Sequence, residues 1–191
     1  MRTIALLLIF ACFTTMSVSA QSEETLFSNS HLDLSGAWGS ATYNFSSFGD
    51  DWTLIRGGYG GIEFNRDIFI GYGRYETRER AIIDQGTKEF GMNYNGLLLG
   101  IAPNSIRAIH PRFTFLTGSG RVWTKEDDER ERVFVFQPSA GVEFNVFQWF
   151  RVGFEAGYRF TGDSKRHELT SGDLSTPFAQ IELRFGLSWG D

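Results

Sequence analysis

Two segments near the end of the chain alternate strictly between apolar and polar residues. From Phe150 to Phe160, and again from Ala179 to Trp189, every second side chain is aromatic, aliphatic or alanine. The residues between them are charged, polar or glycine. A period of two is typical of a β-strand whose two faces meet different surroundings. Each run is about as long as the 9 to 11 residues with which a tilted strand crosses a bilayer.

Periodicity and turn residues predict eight strands. They cover residues 32–46, 52–65, 68–79, 89–102, 106–123, 132–146, 149–161 and 176–189. In the sixth strand, Pro138 lacks a donor for the strand ladder, which predicts a bulge or a locally weakened pairing. In the fourth, the three leucines at 97–99 fit either face. The pattern predicts an all-β fold, a single eight-stranded antiparallel up-and-down barrel.

One hairpin design occurs twice in the chain. The residues GIEFN at 61–65 return as GVEFN at 141–145, and a short turn and a new strand follow each copy. We expect both copies to be turns at the same end of the barrel. Their polar members would face the interior and their apolar members the outside: Glu63, Asn65, Glu143 and Asn145 inward, and Ile62, Phe64, Val142 and Phe144 outward.

Connection lengths predict the orientation. The links at 66–67, 103–105 and 147–148 are tight, whereas those at 80–88, 124–131 and 162–175 are longer and polar, and only the loop around 49–51 breaks the pattern. Bacterial outer-membrane barrels have short periplasmic turns and longer external loops. We therefore expect the tight links on the periplasmic side.

The first 20 residues have the form of a secretory signal peptide. Arg2 provides a positive start, residues 4–13 an apolar core, and Val18-Ser19-Ala20 a small-residue cleavage site. Residues 21–191 would then form one barrel domain with 17 basic and 23 acidic side chains, an acidic balance that argues against nucleic acid. Cys12, the only cysteine, lies inside the signal. Lipoprotein processing at Cys12 is the alternative, and the bulky Phe10 opposes it.

The charged faces of the strands favour a membrane barrel. A soluble lipocalin-like or streptavidin-like barrel would place its apolar residues inside. Here the apolar faces need lipid, and the opposite faces carry ionisable groups that need a polar lumen: Arg112, Glu143, Arg151, Glu155, Arg159, Glu182 and Arg184.

An eight-stranded interior is just wide enough for side chains to fill. We expect Arg151, Glu155 and Arg159 to pair with Glu143 and with Glu182 or Arg184, because buried charges are costly unless they are paired. This polar network would be structural and would close the lumen. The alternative is a narrow ion or proton path.

The chain resembles the small eight-stranded outer-membrane barrels, and more closely the outer-membrane beta-barrel proteins common in Bacteroidetes. The resemblance rests on the segments 57–65, 94–99, 137–145, 150–153 and 158–160. It implies a transmembrane barrel in the outer membrane. One departure is the C-terminus, where Gly190-Asp191 follows Trp189, while outer-membrane barrels often end in an aromatic assembly signal.

Enzymes of this size and fold, such as lipid A acyltransferases and deacylases, need a nucleophile and a base. The base would be one of three histidines. We expect His31 to be interfacial and His110 to join the lumen network. His167, close in sequence to Ser164, is the only group that resembles an acyl-transfer constellation. It lacks the histidine-x-serine-asparagine motif of the deacylases, so we expect no catalytic residues.

Two further motifs resemble ligand sites. Residues 126–129 are all acidic and could hold calcium, but the adjacent Lys125 and Arg130 favour a solvated loop tip. The glycine-rich stretch at 57–61 is not followed by the lysine and helix start of a phosphate loop. We therefore expect no metal site and no cofactor.

Together these patterns predict an integral outer-membrane protein with a structural or loop-mediated interaction role and no open pore. We expect a monomer in contact with outer-membrane lipid and lipopolysaccharide, with the external loops as the surface for any protein partner. Two alternatives stay open. One is a small lipid-modifying enzyme, and the other is a barrel component of a secretion or envelope assembly.

Overall fold

The computed structural model describes residues 32–49, 51–83, 88–127, 129–165 and 167–189. The predicted signal peptide at 1–20, its Cys12, and His31 lie outside the described residues. The boundary between residues 20 and 21 therefore stays a prediction.

Nine strands and one short helix make up the described chain. The strands are β1 Leu34–Phe48, β2 Asp51–Phe64, β3 Ile68–Thr77, β4 Ala81–Ile83, β5 Lys88–Ile101, β6 Ile109–Thr124, β7 Glu131–Phe147, β8 Phe150–Thr161 and β9 Thr176–Ser188, and the helix α1 is Ser171–Leu174. No helix in this part of the chain is long and apolar enough to span a membrane.

Eight of the strands close into an antiparallel barrel. Neighbouring strands follow the order β3, β2, β1, β9, β8, β7, β6, β5, and the pairing of β3 with β5 completes the circle. The short β4 pairs with the loop-side end of β5. The predicted fold class, an eight-stranded antiparallel all-β barrel, is confirmed.

The strand register fixes the tilt of the barrel. Residues paired across neighbouring strands form a row around the barrel. One such row starts at Arg132 in β7 and passes through Arg121 in β6, Asn93 in β5 and Glu76 in β3. It continues through β2, β1, β9 and β8 and returns to β7 at Val142, ten residues after its start. A stagger of this kind requires strands inclined by about 35–45° to the barrel axis. Rows therefore descend from the long loops toward the short turns as they run from β7 through β6 and β5.

The two ends of the barrel differ as the connection lengths predict. Tight turns at 65–67 and 148–149 lie at one end with the connection 102–108. That connection is longer than predicted because β6 begins at Ile109, not at residue 106. The side-chain amide of Asn145 donates to the carbonyl oxygens of Ser105 (2.7 Å) and Arg107 (2.8 Å) and holds the extra residues in place.

Pro138 interrupts pairing without forming a bulge. The register between β7 and β8 is the same on both sides of the proline, but Gln137 and Pro138 have no ladder partner in β8. The alternative of weakened pairing is therefore the correct one. Bulges occur elsewhere, between Asn145 and Phe147 and between Leu34 and Gly36.

The repeated sequence forms two hairpins, β2–β3 and β7–β8. Glu63 and Glu143 face the interior, and Ile62 and Val142 face outward, as predicted. Asn65 differs, because it lies in the turn with a positive φ of 49°. There its side-chain oxygen accepts from the backbone N–H of Asp33 at 2.8 Å.

Gly141 in the second hairpin lies against the backbone of β8. A Cβ atom at this position would be 1.9 Å from the carbonyl oxygen of Phe154, whereas one at Gly153 in the same hairpin would meet only side-chain atoms at 3.5 Å or more. We expect Gly141→Ala to lower the free energy of unfolding by about 1–3 kcal/mol, the usual range for overpacking. Gly153→Ala is the matched control and should change it little. Urea unfolding of both variants in micelles tests this, and equal effects would contradict the close approach.

The outer wall of the barrel is apolar around its whole circumference. Large exposed side chains come from every barrel strand and include Phe45, Ile62, Tyr72, Leu97, Phe113, Phe134, Phe154 and Phe185. In the fourth predicted strand, the structure resolves the ambiguity: Leu97 and Leu99 are exposed, and Leu98 is buried.

The interior has two zones, and only one of them contains the buried ion pairs. The half nearer the short turns holds the charged side chains. Toward the long loops, most of the large inward residues are apolar and belong to one core cluster, and small polar residues such as Ser46, Thr53 and Thr176 are buried with them. The cluster includes Phe48, Ile55, Phe90, Met92, Val122, Val133 and Val135. The predicted polar, side-chain-filled lumen is therefore found in the turn-side half, whereas the loop-side half is filled mainly by apolar side chains.

The connection 162–175 closes the apolar zone. Leu169 and Leu174 are buried in the same core cluster. Ser164 and Leu169 form an isolated antiparallel bridge with backbone hydrogen bonds of 2.8 and 3.0 Å. Thr170 caps α1 through a capping box with Asp173. This segment, predicted as a polar loop, is a folded cap on the barrel.

Candidate functional site

The predicted polar network lies in the turn-side half of the lumen. All seven predicted residues are buried: Arg112, Glu143, Arg151, Glu155, Arg159, Glu182 and Arg184. They alternate with the outward apolar residues along β6, β7, β8 and β9, so the pleat of each strand aims them inward. Glu63 from β2 joins them. Among the described residues, the buried arginines and glutamates thus number four of each.

Glu143 is the centre of the network. Its Oε2 accepts from Nη1 of Arg112 and from Nη1 of Arg184, each at 2.6 Å. Its Oε1 lies 3.3 Å from Nη1 of Arg151 and 3.2 Å from Nε2 of His110. The carboxylate thus meets three guanidinium groups with almost no exposure to solvent. Such contacts offset the large cost of taking ionised groups out of water.

Arg112 links Glu143 to two further carboxylates. Its Nε lies 3.0 Å from Oε1 of Glu155, and its Nη2 lies 3.7 Å from Oε2 of Glu182. The same Nη2 donates to the hydroxyl of Tyr59 at 2.7 Å, and that hydroxyl donates to Glu182 at 2.7 Å. Arg112 therefore bridges strands that lie on opposite sides of the lumen.

Neutral side chains satisfy the remaining carboxylate oxygens. Gln180 donates to Glu155 at 3.1 Å and to Glu182 at 2.9 Å. Ser139 and Thr114 donate to the two oxygens of Glu155 at 2.6 and 2.9 Å. Each acid is thereby held by several donors, which fixes its position in the lumen.

Aromatic rings support the arginines nearest the turns. The guanidinium of Arg151 stacks 3.9 Å from the ring centroid of Trp38 and donates to Glu63 at 3.1 Å. Arg184 lies between Trp38 and Phe69, 5.3 and 5.2 Å from their centroids. Among the described residues, its Nε and Nη2 have no hydrogen-bond partner. The faces of the two rings attract the guanidinium group and so partly replace the missing hydrogen-bond acceptors.

Arg159 differs from the expected pairing. It is fully buried, yet its hydrogen bonds go only to neutral groups: Gln137 at 2.9 Å, Asn44 at 3.1 Å, Ser46 at 3.2 Å and Tyr94 at 3.0 Å. The register explains this, because Arg159 pairs with Thr176 in β9 and lies on the loop side of Glu155. It marks the boundary between the charged zone and the apolar zone.

The arrangement fills the lumen with side chains that hold one another. At the turn end, a cavity of about 690 Å³ lies between the short connections. Of the side chains in the network, only Arg151 and its hydrogen-bond partner Ser188 line this cavity. Above that point, Glu143, Arg112, Glu155 and Glu182 occupy the centre and are at most 3% exposed. This packing suits a plug better than a path for ions.

The candidate acyl-transfer residues have separate partners. The Oγ of Ser164 donates to Oε2 of Glu131 at 2.6 Å, and Nε2 of His167 lies 2.9 Å from the carbonyl oxygen of Glu129. Both residues are buried. These contacts tie the 162–175 cap to the neighbouring loop. They do not join a serine to a histidine.

The other histidine and the acidic loop have structural contacts. His110 joins the lumen network through Glu143, as predicted, and its Nδ1 lies 3.1 Å from the carbonyl oxygen of Arg107. In the loop, Oδ1 of Asp127 accepts from the backbone N–H of Glu129 at 3.0 Å. Within the described ranges, no group of three or more histidine, cysteine or acidic residues is arranged to hold a metal ion.

Sequence reasoning missed several members of the network. Glu63 was available from the repeated hairpin, where it corresponds to Glu143. Tyr59, Gln180, Asn44 and Gln137 are uncharged and gave no signal beyond their inward parity. Their role depends on the register between strands, which the alternation within one strand does not contain.

No protein-family model and no curated protein matches the chain. The chain is similar to two solved structures. One is Neisserial surface protein A, with a TM-score of 0.58 and 11% identity over 79% of this chain and 96% of that one. The other is the N-terminal beta-barrel domain of Pseudomonas aeruginosa OprF, with a TM-score of 0.59 and 11% identity over 82% of this chain and 99% of that one. The resemblance to small eight-stranded barrels is thus confirmed for the fold, and the Bacteroidetes-type assignment stays a prediction.

Proposed function

We propose that this chain is an integral protein of the bacterial outer membrane, reached by way of its signal peptide, with a structural or loop-mediated interaction role. One observation carries the proposal: the wall exposes large apolar side chains on every barrel strand, while four arginines and four glutamates are buried inside. A barrel in water would have the opposite distribution. A bilayer accepts this wall, and the closed ladder leaves no strand edge unpaired in lipid.

Aromatic side chains at both ends of the barrel support its placement across a bilayer. At the turn end, Trp149 stacks against Phe147, Phe150 and Phe185, with ring centroids 5.6 to 6.4 Å apart. Near the loop end, Tyr158 and Phe160 lie 4.8 Å apart on the outer wall. Such girdles mark the two interfaces of membrane barrels.

The packed lumen supports a role without transport. A closed interior leaves the loops and the outer wall as the surfaces that meet other molecules. The proposed contacts are outer-membrane lipid and lipopolysaccharide, with the protein as a monomer and the loops open to a protein partner. The separate contacts of Ser164 and His167 are the reason for proposing no catalytic activity.

Fractionation and electrophoresis test the membrane assignment. Expressed with its signal in a Gram-negative host, the protein should stay with membranes after carbonate extraction. It should also migrate differently in gels before and after boiling, because a closed barrel resists detergent at room temperature. Reconstituted into planar bilayers, it should give no steady ion conductance. Recovery in the soluble periplasmic fraction without a mobility shift would refute the membrane assignment, and stepwise conductance would refute the closed lumen.

A further inference from the structure

Four arginines lie on the outer wall of the barrel at its loop side. Arg56, Arg121 and Arg132 belong to one register row, and Arg74 lies beside it in β3, paired with Asn95. All four side chains are exposed. We call these four residues the outer arginine patch. β3 and β6 pair with β5, and β2 and β7 are the next strands on either side, so the patch spans the five consecutive strands from β2 to β7 and leaves β1, β8 and β9 without it.

The patch carries an excess of positive charge on a wall that is otherwise apolar. Glu76, in the same row, is the single acidic residue among these positions. Within the described part of the chain, no carboxylate lies within ion-pair distance of the four guanidinium groups, whereas Lys125 in the adjacent loop pairs with Glu89 at 3.2 Å. Arg56 instead stacks on the ring of Tyr43, 5.6 Å from its centroid. The patch therefore has charge available for a ligand.

The depth of the patch places it at a lipid interface. Because the register row descends from Arg132 toward Arg56, Arg56 lies nearer the turn end than Arg132. Arg74 is the next outward residue of β3 after Tyr72, which is 53% exposed. In β8, the strand next to β7, the outward residues near the loops are instead aromatic, as at Tyr158 and Phe160. An unpaired arginine on the wall is costly at the bilayer midplane and nearly free of cost at the interface. The patch must therefore lie at the depth of the lipid head groups in the leaflet on the loop side.

At that level, the groups that complement arginine are lipid phosphates. Guanidinium groups bind phosphate oxygens through paired hydrogen bonds, and their long stems can lie along apolar surface. We propose that the outer arginine patch binds the phosphate groups of anionic lipid in the leaflet on the loop side. This inference rests on the proposed function, since it needs the apolar wall to be embedded in a bilayer.

Native mass spectrometry with defined lipid tests the proposal. The folded protein in micelles is titrated with bisphosphorylated lipid A and, separately, with the same lipid A after removal of both phosphates. The variant Arg56→Gln/Arg74→Gln/Arg121→Gln/Arg132→Gln is compared with the control Arg78→Gln/Arg80→Gln/Arg107→Gln/Lys165→Gln. The control removes the same number of charges from exposed loop and turn positions.

The wild-type protein and the control should bind the phosphorylated lipid about tenfold more tightly than the dephosphorylated one, and the patch variant should lose this preference. Equal binding of the two lipids by the wild type, or a preference that survives in the patch variant, overturns the proposal. An equal loss in the control also overturns it, because net charge would then be the cause. The boiling-dependent gel shift, measured on the same samples, separates these outcomes from failure of the barrel to form.

Discussion

Replacing Glu143 with glutamine is expected to lower the free energy of unfolding by about 3–5 kcal/mol. The substitution keeps the size of the side chain but removes the charge that Arg112, Arg184 and Arg151 share. It also turns one acceptor into an amide donor that faces arginine donors. Three buried cations would lose their common partner, and that penalty exceeds the value of any single contact. Urea-dependent folding in micelles, followed by tryptophan fluorescence and by the gel shift, measures the loss.

Glu89→Gln is the control for this prediction. Glu89 also pairs with a cation, Lys125, at 3.2 Å, but this pair is in contact with solvent. Exposed pairs typically contribute about 0.2–1 kcal/mol, so the control should stay close to the wild type. Losses of similar size in the two variants would show that the lumen is hydrated and that its charges are screened. The network would then not be the plug that the structure indicates.

Truncation of Leu174 to alanine is expected to cost about 2–5 kcal/mol, because it leaves a cavity in the loop-side core. Leu174 is fully buried at the end of α1. Its carbonyl oxygen accepts from the hydroxyl of Thr161 at 3.3 Å, so the side chain and the backbone hold the cap together at this point. The effect should concentrate in the cap. Hydrogen exchange of the Ser164 and Leu169 amides, which bond to each other's carbonyl oxygens, reports it directly.

Leu97→Ala provides the comparison for Leu174. Leu97 has the same side chain but is 63% exposed on the outer wall. Its truncation leaves no internal cavity and should neither speed exchange in the cap nor lower the unfolding midpoint appreciably. If the two variants behave alike, Leu174 does not anchor the cap, and the 162–175 segment is held by its polar contacts alone.

The sequence predicts the barrel well because alternation is a local property. In β8 and β9, the alternation of apolar and polar residues shows which side chains point inward and which point outward, and the partner strand need not be known. The seven charges of the network were predicted as inward for the same reason, and the structure connects six of them through ion pairs. Arg159 is the exception, because whether it meets a carboxylate depends on register, and the register places neutral residues around it.

The loop-side half of the lumen was not predicted, since alternation fails there. In β7, the inward Val133 and Val135 and the outward Phe134 and Phe136 are all apolar, so the two faces look alike in sequence. Leu169 and Leu174 were hidden in a segment whose other residues are mostly polar. Their burial depends on a folded cap that no periodic pattern reveals. The only indication in the sequence is that this polar connection contains two leucines, five residues apart.

The strands that supply the buried charges have a consequence for how the barrel enters a membrane. Glu63 comes from β2, Arg112 from β6, Glu143 from β7, and the remaining paired charges from β8 and β9. A partial sheet of β1 to β5 would carry Glu63 into hydrocarbon without Arg151, its cation. In the proposed membrane location, strand-by-strand insertion would therefore be disfavoured at each stage in which β2 has entered and β8 has not. We therefore expect the early strands to stay at the interface until the last ones arrive, so that membrane entry and ring closure form a single cooperative event.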